Sequence, residues 1–185
     1  MQINEYATAI LAELQRTIEA VSGEAAEQLA KRLVQADRIF VAGAGRSGLM
    51  MKAFAMRLMH LGLHAYVVGE TVTPGLRAND VFLIGSGSGE TRSLIAMAEK
   101  AKRLGAVIAL VTISEASTLG QLADIVIHVP ASPKEKADNG STTIQPMGSL
   151  FEQSMLLLLD AVILRLMHTQ ELDSSAMFDK HANLE

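Results

Sequence analysis

Val81-Phe82-Leu83-Ile84-Gly85-Ser86-Gly87-Ser88-Gly89-Glu90-Thr91 runs from an apolar, strand-like stretch through alternating glycines into an Ala- and Leu-rich segment with helical spacing at 93–104. A strand that breaks on glycine and restarts as a helix is the joint of a parallel α/β sheet, in which helices connect successive strands. The same joint carries a chemistry. Glycines let successive backbone N–H groups turn inward as a concave nest, and the helix N-terminus behind them adds partial positive charge, so a phosphate is held largely by neutral donors. The hydroxyls of Ser86, Ser88 and Thr91 add further donors, and three alternating glycines exceed what an ordinary turn requires. The stretch lacks the lysine of a P-loop and the glycine spacing of a dinucleotide fingerprint.

Working outward, Gly43-Ala44-Gly45-Arg46-Ser47-Gly48 repeats the arrangement, with a strand predicted at 38–42 before it and a helix at 49–61 after it. Ile10, Leu11, Leu14, Ile18 and Val21 fall at helical spacing, and a second helix follows at 24–35, giving a helical N-terminal region over 3–36. Further strands are predicted at 64–68, 80–84, 107–113 and 124–129, and a short helix at 117–123. A polar loop at 130–148, a long apolar helix at 149–168 and a polar tail at 170–185 complete the chain. Strands of nearly continuous Val, Ile and Leu alternating with helices predict a doubly wound α/β sheet, covered on both faces, within 38–129 of a single 1–185 domain. Ligands of such sheets bind beyond the carboxyl ends of the strands, where both glycine loops fall, so the two loops converge on one crevice.

The composition narrows the ligand. With 49% apolar and 19% charged residues, 185 residues are enough for a real core. No cysteine is present, which excludes disulfides and thiolate metal sites and fits a cytoplasmic location; Met1-Gln2-Ile3-Asn4-Glu5 lacks the basic start of a signal peptide. The most apolar stretch, 155–167, is interrupted by Asp160 and Arg165 and is shorter than the ~20 residues of a membrane crossing. A net charge of −4 without a Lys/Arg cluster gives no footprint for nucleic acid. Aromatic residues are 4% and Trp is absent, so polar groups must recognise a small-molecule ligand. His60 and His64 have the i, i+4 spacing of a metal pair, but Gly62 puts them off a common helix face, and no metal or cofactor is expected. His128, in an apolar strand, and His168, at a helix end, read as structural.

The two glycine loops, about forty residues apart and each between a strand and a helix, resemble the paired signatures of the sugar isomerase (SIS) domain over residues 39–168. Within that superfamily, the run Pro146-Met147-Gly148-Ser149-Leu150-Phe151-Glu152 and the closing Lys180-His181-Ala182-Asn183-Leu184-Glu185 resemble the 6-phospho-3-hexuloisomerase family. That family interconverts D-arabino-hex-3-ulose 6-phosphate and fructose 6-phosphate in formaldehyde fixation by the ribulose monophosphate route. The resemblance implies a three-layer, five-stranded parallel sheet of flavodoxin type, no metal, and homo-oligomers, dimers or tetramers, with active sites near subunit contacts. Ten methionines and the apolar last helix fit a buried interface, and equally a core.

Moving a carbonyl from C3 to C2 requires a base that takes the C2 proton, giving an enediol, and returns it to C3. Glutamate suits the task, because burial raises its pKa from about 4.3 toward neutrality. On spacing alone, Ser149-Leu150-Phe151-Glu152 is a capping box, in which Glu152 bonds the first free amide of the helix. The resemblance implies instead that Glu152 is the base. Fructose 6-phosphate closes through O5, whereas the 3-ketose stays open, so ring opening is needed in the reverse direction only. An imidazole suits that proton transfer, and the family-like tail points to His181, whose alternative is a solvated chain end. Ser47 is expected to face the crevice, and the resemblance implies that it contacts the sugar phosphate. Ser86, Gly87, Ser88, Gly89, Glu90 and Thr91 are the substrate loop. Arg46 either pairs with the phosphate or forms a salt bridge at the solvent face or to a neighbouring subunit. Glu90, awkward beside a dianion, either caps a helix or bonds sugar hydroxyls. Alternative functions are another phosphosugar aldose–ketose isomerase, or a non-catalytic phosphosugar-binding module. Modules of that kind usually accompany a DNA-binding helix-turn-helix, and here only two N-terminal helices without a basic face are present.

Overall fold

The computed structural model describes residues 2–131 and 143–184. Five strands, β1 (Ile39–Gly43), β2 (Ala65–Val67), β3 (Val81–Gly85), β4 (Val107–Thr112) and β5 (Ile125–His128), form one sheet in the order β2-β1-β3-β4-β5. Every pairing is parallel. The five-stranded, doubly wound architecture is thus the one expected. The strand order reverses between β1 and β3, and their register sets Gly43 opposite Gly85. Both glycine loops therefore leave the sheet side by side, at the switch point where such sheets bind ligands.

The strands alternate between two cores. Ile39, Val41, Val81, Leu83, Ala109 and Val111 face α1 (Ile3–Glu19), α2 (Gly23–Gln35), α3 (Gly45–His60) and α6 (Ser149–Thr169). Phe40, Ala42, Phe82, Ile84, Ile108 and Leu110 face α4 (Arg92–Arg103) and α5 (Thr118–Leu122). Burial on both sides is why these strands are apolar without interruption. At the opposite ends of the strands, buried Asp80 accepts Arg38 Nε and Nη2 at 3.1 and 2.7 Å and the Arg77 N–H at 2.6 Å, tying the starts of β1 and β3 together.

Between β1 and α3 the chain turns so tightly that a Cβ on Gly48 would stand 2.5 Å from the Gly43 carbonyl oxygen. Only glycine permits that approach. Helix α6 buries Phe151, Met155, Leu158, Leu159, Val162 and Ile163, yet leaves Leu157 and Leu164 46% and 66% exposed.

Two local expectations are corrected. Gly148, not Ser149, is the N-cap of α6, so Ser149 and Glu152 are offset by one residue from capping-box register. The preceding Met147 has φ 55°, which turns the chain into the helix one residue early. The tail also holds a short helix, α7 (Ser174–Phe178), capped by Asp173 Oδ1 accepting the Ala176 N–H at 2.9 Å. Of the polar loop expected at 130–148, residues 132–142 lie outside the described residues. Among the described residues, no helix is long and apolar enough to cross a membrane.

Candidate active site

The loop after β3 is folded on itself and sewn to its neighbours. Ser86 Oγ accepts the Gly89 N–H and Ser88 Oγ accepts the Glu90 N–H, both at 3.2 Å. The Gly87 carbonyl accepts Thr112 Oγ1 and the Ile113 N–H, each at 3.1 Å, and the Gly89 carbonyl accepts the Leu119 N–H at 3.1 Å. Of the three alternating glycines only Gly89 takes a positive φ, +66°. That turn drives the loop against Ser117, the N-cap of α5, so closely that a Cβ on Gly89 would overlap its side chain.

Glu90 caps α5 with its side chain. Its Oε1 accepts the Thr118 N–H at 2.7 Å and its Oε2 accepts Thr118 Oγ1 at 2.8 Å. The backbone bond first, and then the hydroxyl, hold this carboxyl below its ordinary value. The capping alternative therefore describes this residue, but the helix capped is α5 and not its own α4. Thr91, the N-cap of α4, makes no side-chain capping bond and lines the cleft. The first N–H groups of α4, just after Thr91, lack intrahelical acceptors.

The resulting cleft, ≈ 480 Å³, is lined by Ser47 and Ala44 from the first glycine loop, by the 85–91 loop, and by Gly148 and Phe151 at the start of α6. Ser47, Ser86, Gly87, Ser88, Glu90 and Thr91 thus meet at one cleft, and Gly89 is not among its lining residues. Glu152 follows the cleft-lining Phe151 on α6 but is not itself among the lining residues; its side chain is 5% exposed, with Oε2 accepting Arg46 Nη1 at 3.1 Å. The same Nη1 donates to Ser149 Oγ at 2.9 Å. Arg46 is therefore bound within the chain to Glu152, and is not among the residues lining the cleft.

His181 lies elsewhere. It stacks on His60 and Phe178, ring centroids 5.5 and 6.1 Å apart, at a second hollow of ≈ 440 Å³ between α3, α6 and the tail. Ser47 and His60 occupy opposite ends of α3, about 20 Å apart at the rise of an α-helix, so one protomer does not bring His181 to Glu152. His60 is buried, with Nδ1 3.3 Å from Arg57 Nη1. Burial first, then the charges of Arg57 and His181, depress its pKa.

Three residues of the site have no signal in the sequence: Thr112 and Ser117, which brace the loop from behind, and Thr118, which engages Glu90. Each is an ordinary strand, cap or helix residue, and only the fold brings it to the loop.

Comparison with known proteins adds the following. The SIS domain pattern matches residues 32–162. A 3-hexulose-6-phosphate isomerase of Bacillus subtilis (strain 168) is 54% identical over 185 residues, covering 100% of both chains. One of Mycobacterium gastri is 44% identical over 174 residues, 94% of this chain and 86% of that one. A crystal structure from Methanococcus jannaschii, reported to infer a molecular function of 3-hexulose-6-phosphate isomerase, superposes with a TM-score of 0.85 at 32% identity and covers 98% of this chain and 99% of the other.

Proposed function

The chain belongs to the SIS domain family, and on that premise we propose that it is a 3-hexulose-6-phosphate isomerase of the ribulose monophosphate pathway. It interconverts D-arabino-hex-3-ulose 6-phosphate and fructose 6-phosphate. As a ketol isomerisation this moves one proton between adjacent carbons and needs no external oxidant or reductant. The observation that carries the reading is the convergence of both glycine loops and the start of α6, through Gly148 and Phe151, on one cleft, with Glu152 next to Phe151 in the chain.

In this reading the 6-phosphate sits against the 85–91 loop. The hydroxyls of Ser47, Ser86, Ser88 and Thr91 and the open N–H groups of α4 receive it. The sugar then extends toward the start of α6. Glu152 takes the C2 proton as O3 is protonated, giving the enediol, and returns it to C3 as O2 gives up its proton and the carbonyl moves to C2, so that a proton passes from O2 to O3 in all. Arg46 orients the Glu152 carboxylate through a charge-assisted bond. Ring opening of fructose 6-phosphate by His181 requires a second copy of the chain, since within one protomer the tail is docked far from the cleft. Exposed Leu157 and Leu164 on α6 and Leu49 and Met56 on α3 support such a homo-oligomer. Residues 1–185 act as one domain, and the place of action is the cytoplasm, because a dianionic sugar phosphate does not cross a bilayer.

The test supplies ribulose 5-phosphate, formaldehyde and a hexulose-phosphate synthase, and follows fructose 6-phosphate through glucose 6-phosphate to NADPH. Protein-dependent NADPH is expected. Its absence, with every coupling enzyme shown active, would overturn the assigned substrate. Glu152→Gln is expected to lower kcat by about 10²- to 10⁴-fold, the range of a lost general base, with sugar phosphate binding retained. Full turnover in that variant overturns the base assignment.

A further inference from the structure

A carboxylate that the proposed chemistry does not use is buried on the first helix. Glu13 of α1 is 8% exposed and accepts three hydrogen bonds from the segment that enters α6. Thr143 Oγ1 donates to Oε2 at 2.5 Å, the Ile144 N–H to Oε1 at 2.8 Å, and Gln145 Nε2 to Oε2 at 2.9 Å. Burial would raise its pKa, but the bonds from Thr143, Gln145 and Ile144, with Arg16 nearby, outweigh it and hold the carboxyl below its ordinary value. The group is an ionised anchor at neutral pH.

The anchored segment leads straight to Glu152. Gln145, itself 6% exposed, passes the contact on: its Oε1 accepts Gln153 Nε2 at 2.7 Å, and Gln153 adjoins Glu152 on α6. The Pro146 carbonyl accepts the Ser149 N–H at 3.2 Å, Met147 holds a left-handed φ, and the Gly148 carbonyl accepts the Glu152 N–H at 2.9 Å. Residues 143–148 therefore form a strut, fixed at one end by Glu13 and at the other by the first turn of α6. A single turn of backbone in a left-handed conformation for a non-glycine residue persists only where its surroundings over-determine it, and the Glu13 contacts lie immediately before that turn.

We infer that Glu13 is a positioning residue, which through Gln145 and the 143–148 strut sets the place of Glu152 on the first turn of α6. The inference rests on the reading of Glu152 as the base. It assigns Glu13 no contact with substrate, and the phosphate loops after β1 and β3 stand independently of it. Its loss therefore falls on turnover and not on binding. A misplacement of the order of 1 Å at a reacting group lowers the rate by up to about 100-fold.

The experiment is steady-state kinetics on the full chain with fructose 6-phosphate or the 3-ketose. Glu13→Ala leaves the Thr143, Ile144 and Gln145 donors without their acceptor, so rates are read well below its own unfolding midpoint. Expected is a fall in kcat of about 10- to 100-fold with KM within about twofold of the parent. Gln145→Ala breaks the relay while keeping the Glu13 charge, lowers kcat in the same way, and replaces Glu13→Ala if that variant does not fold. The double variant should be no worse than the poorer single one, as for residues acting through one path. In a Glu152→Gln background, Glu13→Ala should cause no further loss. Unchanged kcat in folded Glu13→Ala or Gln145→Ala overturns the inference, as does a raised KM with kcat intact. If Glu152→Gln itself keeps full turnover, the base reading fails first. If Glu152→Gln collapses while folded Glu13→Ala does not, the positioning role alone fails.

Discussion

Replacing Gly89 by alanine should damage the chain in two separable ways. At φ +66° an L-residue costs about 1–2 kcal/mol more than glycine. The new Cβ would also overlap Ser117, whose Cβ as well as Oγ stands in its path, so a rotamer change of Ser117 cannot relieve the contact. Displacing Ser117 loses its cap of α5, Oγ accepting the Gly120 N–H at 3.2 Å, and its bond to the Ser114 carbonyl at 2.6 Å. A cap is worth about 1 kcal/mol and a hydrogen bond about as much again. The sum is roughly 3 kcal/mol, or about 6–12 °C in Tm for a chain of this length. The assay is urea unfolding of Gly89→Ala, Ser117→Gly and the double variant. With Ser117 shortened, Gly89→Ala should cost only its backbone share, about 1–2 kcal/mol. A Gly89→Ala variant within about 0.5 kcal/mol of its parent, the ordinary scatter of surface changes, would refute the claim that the loop is braced against α5.

Gly48→Ala should be destabilised by roughly 2–3 kcal/mol, because its Cβ meets the Gly43 backbone and no side chain there can give way; a thermal melt matching the parent would show that β1 and α3 can separate. His60 has a depressed pKa, so its neutral form stabilises the fold. That contribution is fully present above its ordinary value of 6.5 and is lost as pH falls through the window below, where the unfolded chain binds the extra proton. His60→Phe should therefore show a shallower loss of denaturant midpoint between pH 7 and pH 5, and an unchanged slope would count against it. Leu164→Glu, on the exposed face of α6, should lower the mass seen by sedimentation velocity, whereas a parent chain that is already monomeric would remove the proposed assembly.

What could be read from the sequence follows how local the cause is. Strands buried on both faces must be apolar at every position, so β1, β3 and β4 announce themselves, and the glycine loops mark the switch point. Ser47 and Ser86 to Thr91 come together because each sits at the mouth of its own strand. Contacts between distant segments carry no such signal. Arg46 finds Glu152 106 residues along the chain, Glu90 finds Thr118 28 residues along, and Glu13 finds Gln145 132 residues along. The capping-box spacing at Ser149 misled because the left-handed Met147 starts the helix on Gly148, and backbone sign is not written in residue type. Helix α7 has a legible cap in Asp173, but five residues are too few for apolar periodicity to appear.

The ends of the sheet constrain how copies of this chain can meet. The two outer strands are the shortest, three residues in β2 and four in β5, against five or six in each inner strand. A foreign strand laid along either border would find only a few ladder positions, a poor template for the edge-to-edge joining that leads to fibres. A crowded solution of this protein therefore has little purchase for backbone-mediated aggregation, and the surfaces left for orderly self-recognition are helical ones, which side chains, and hence single substitutions, can tune.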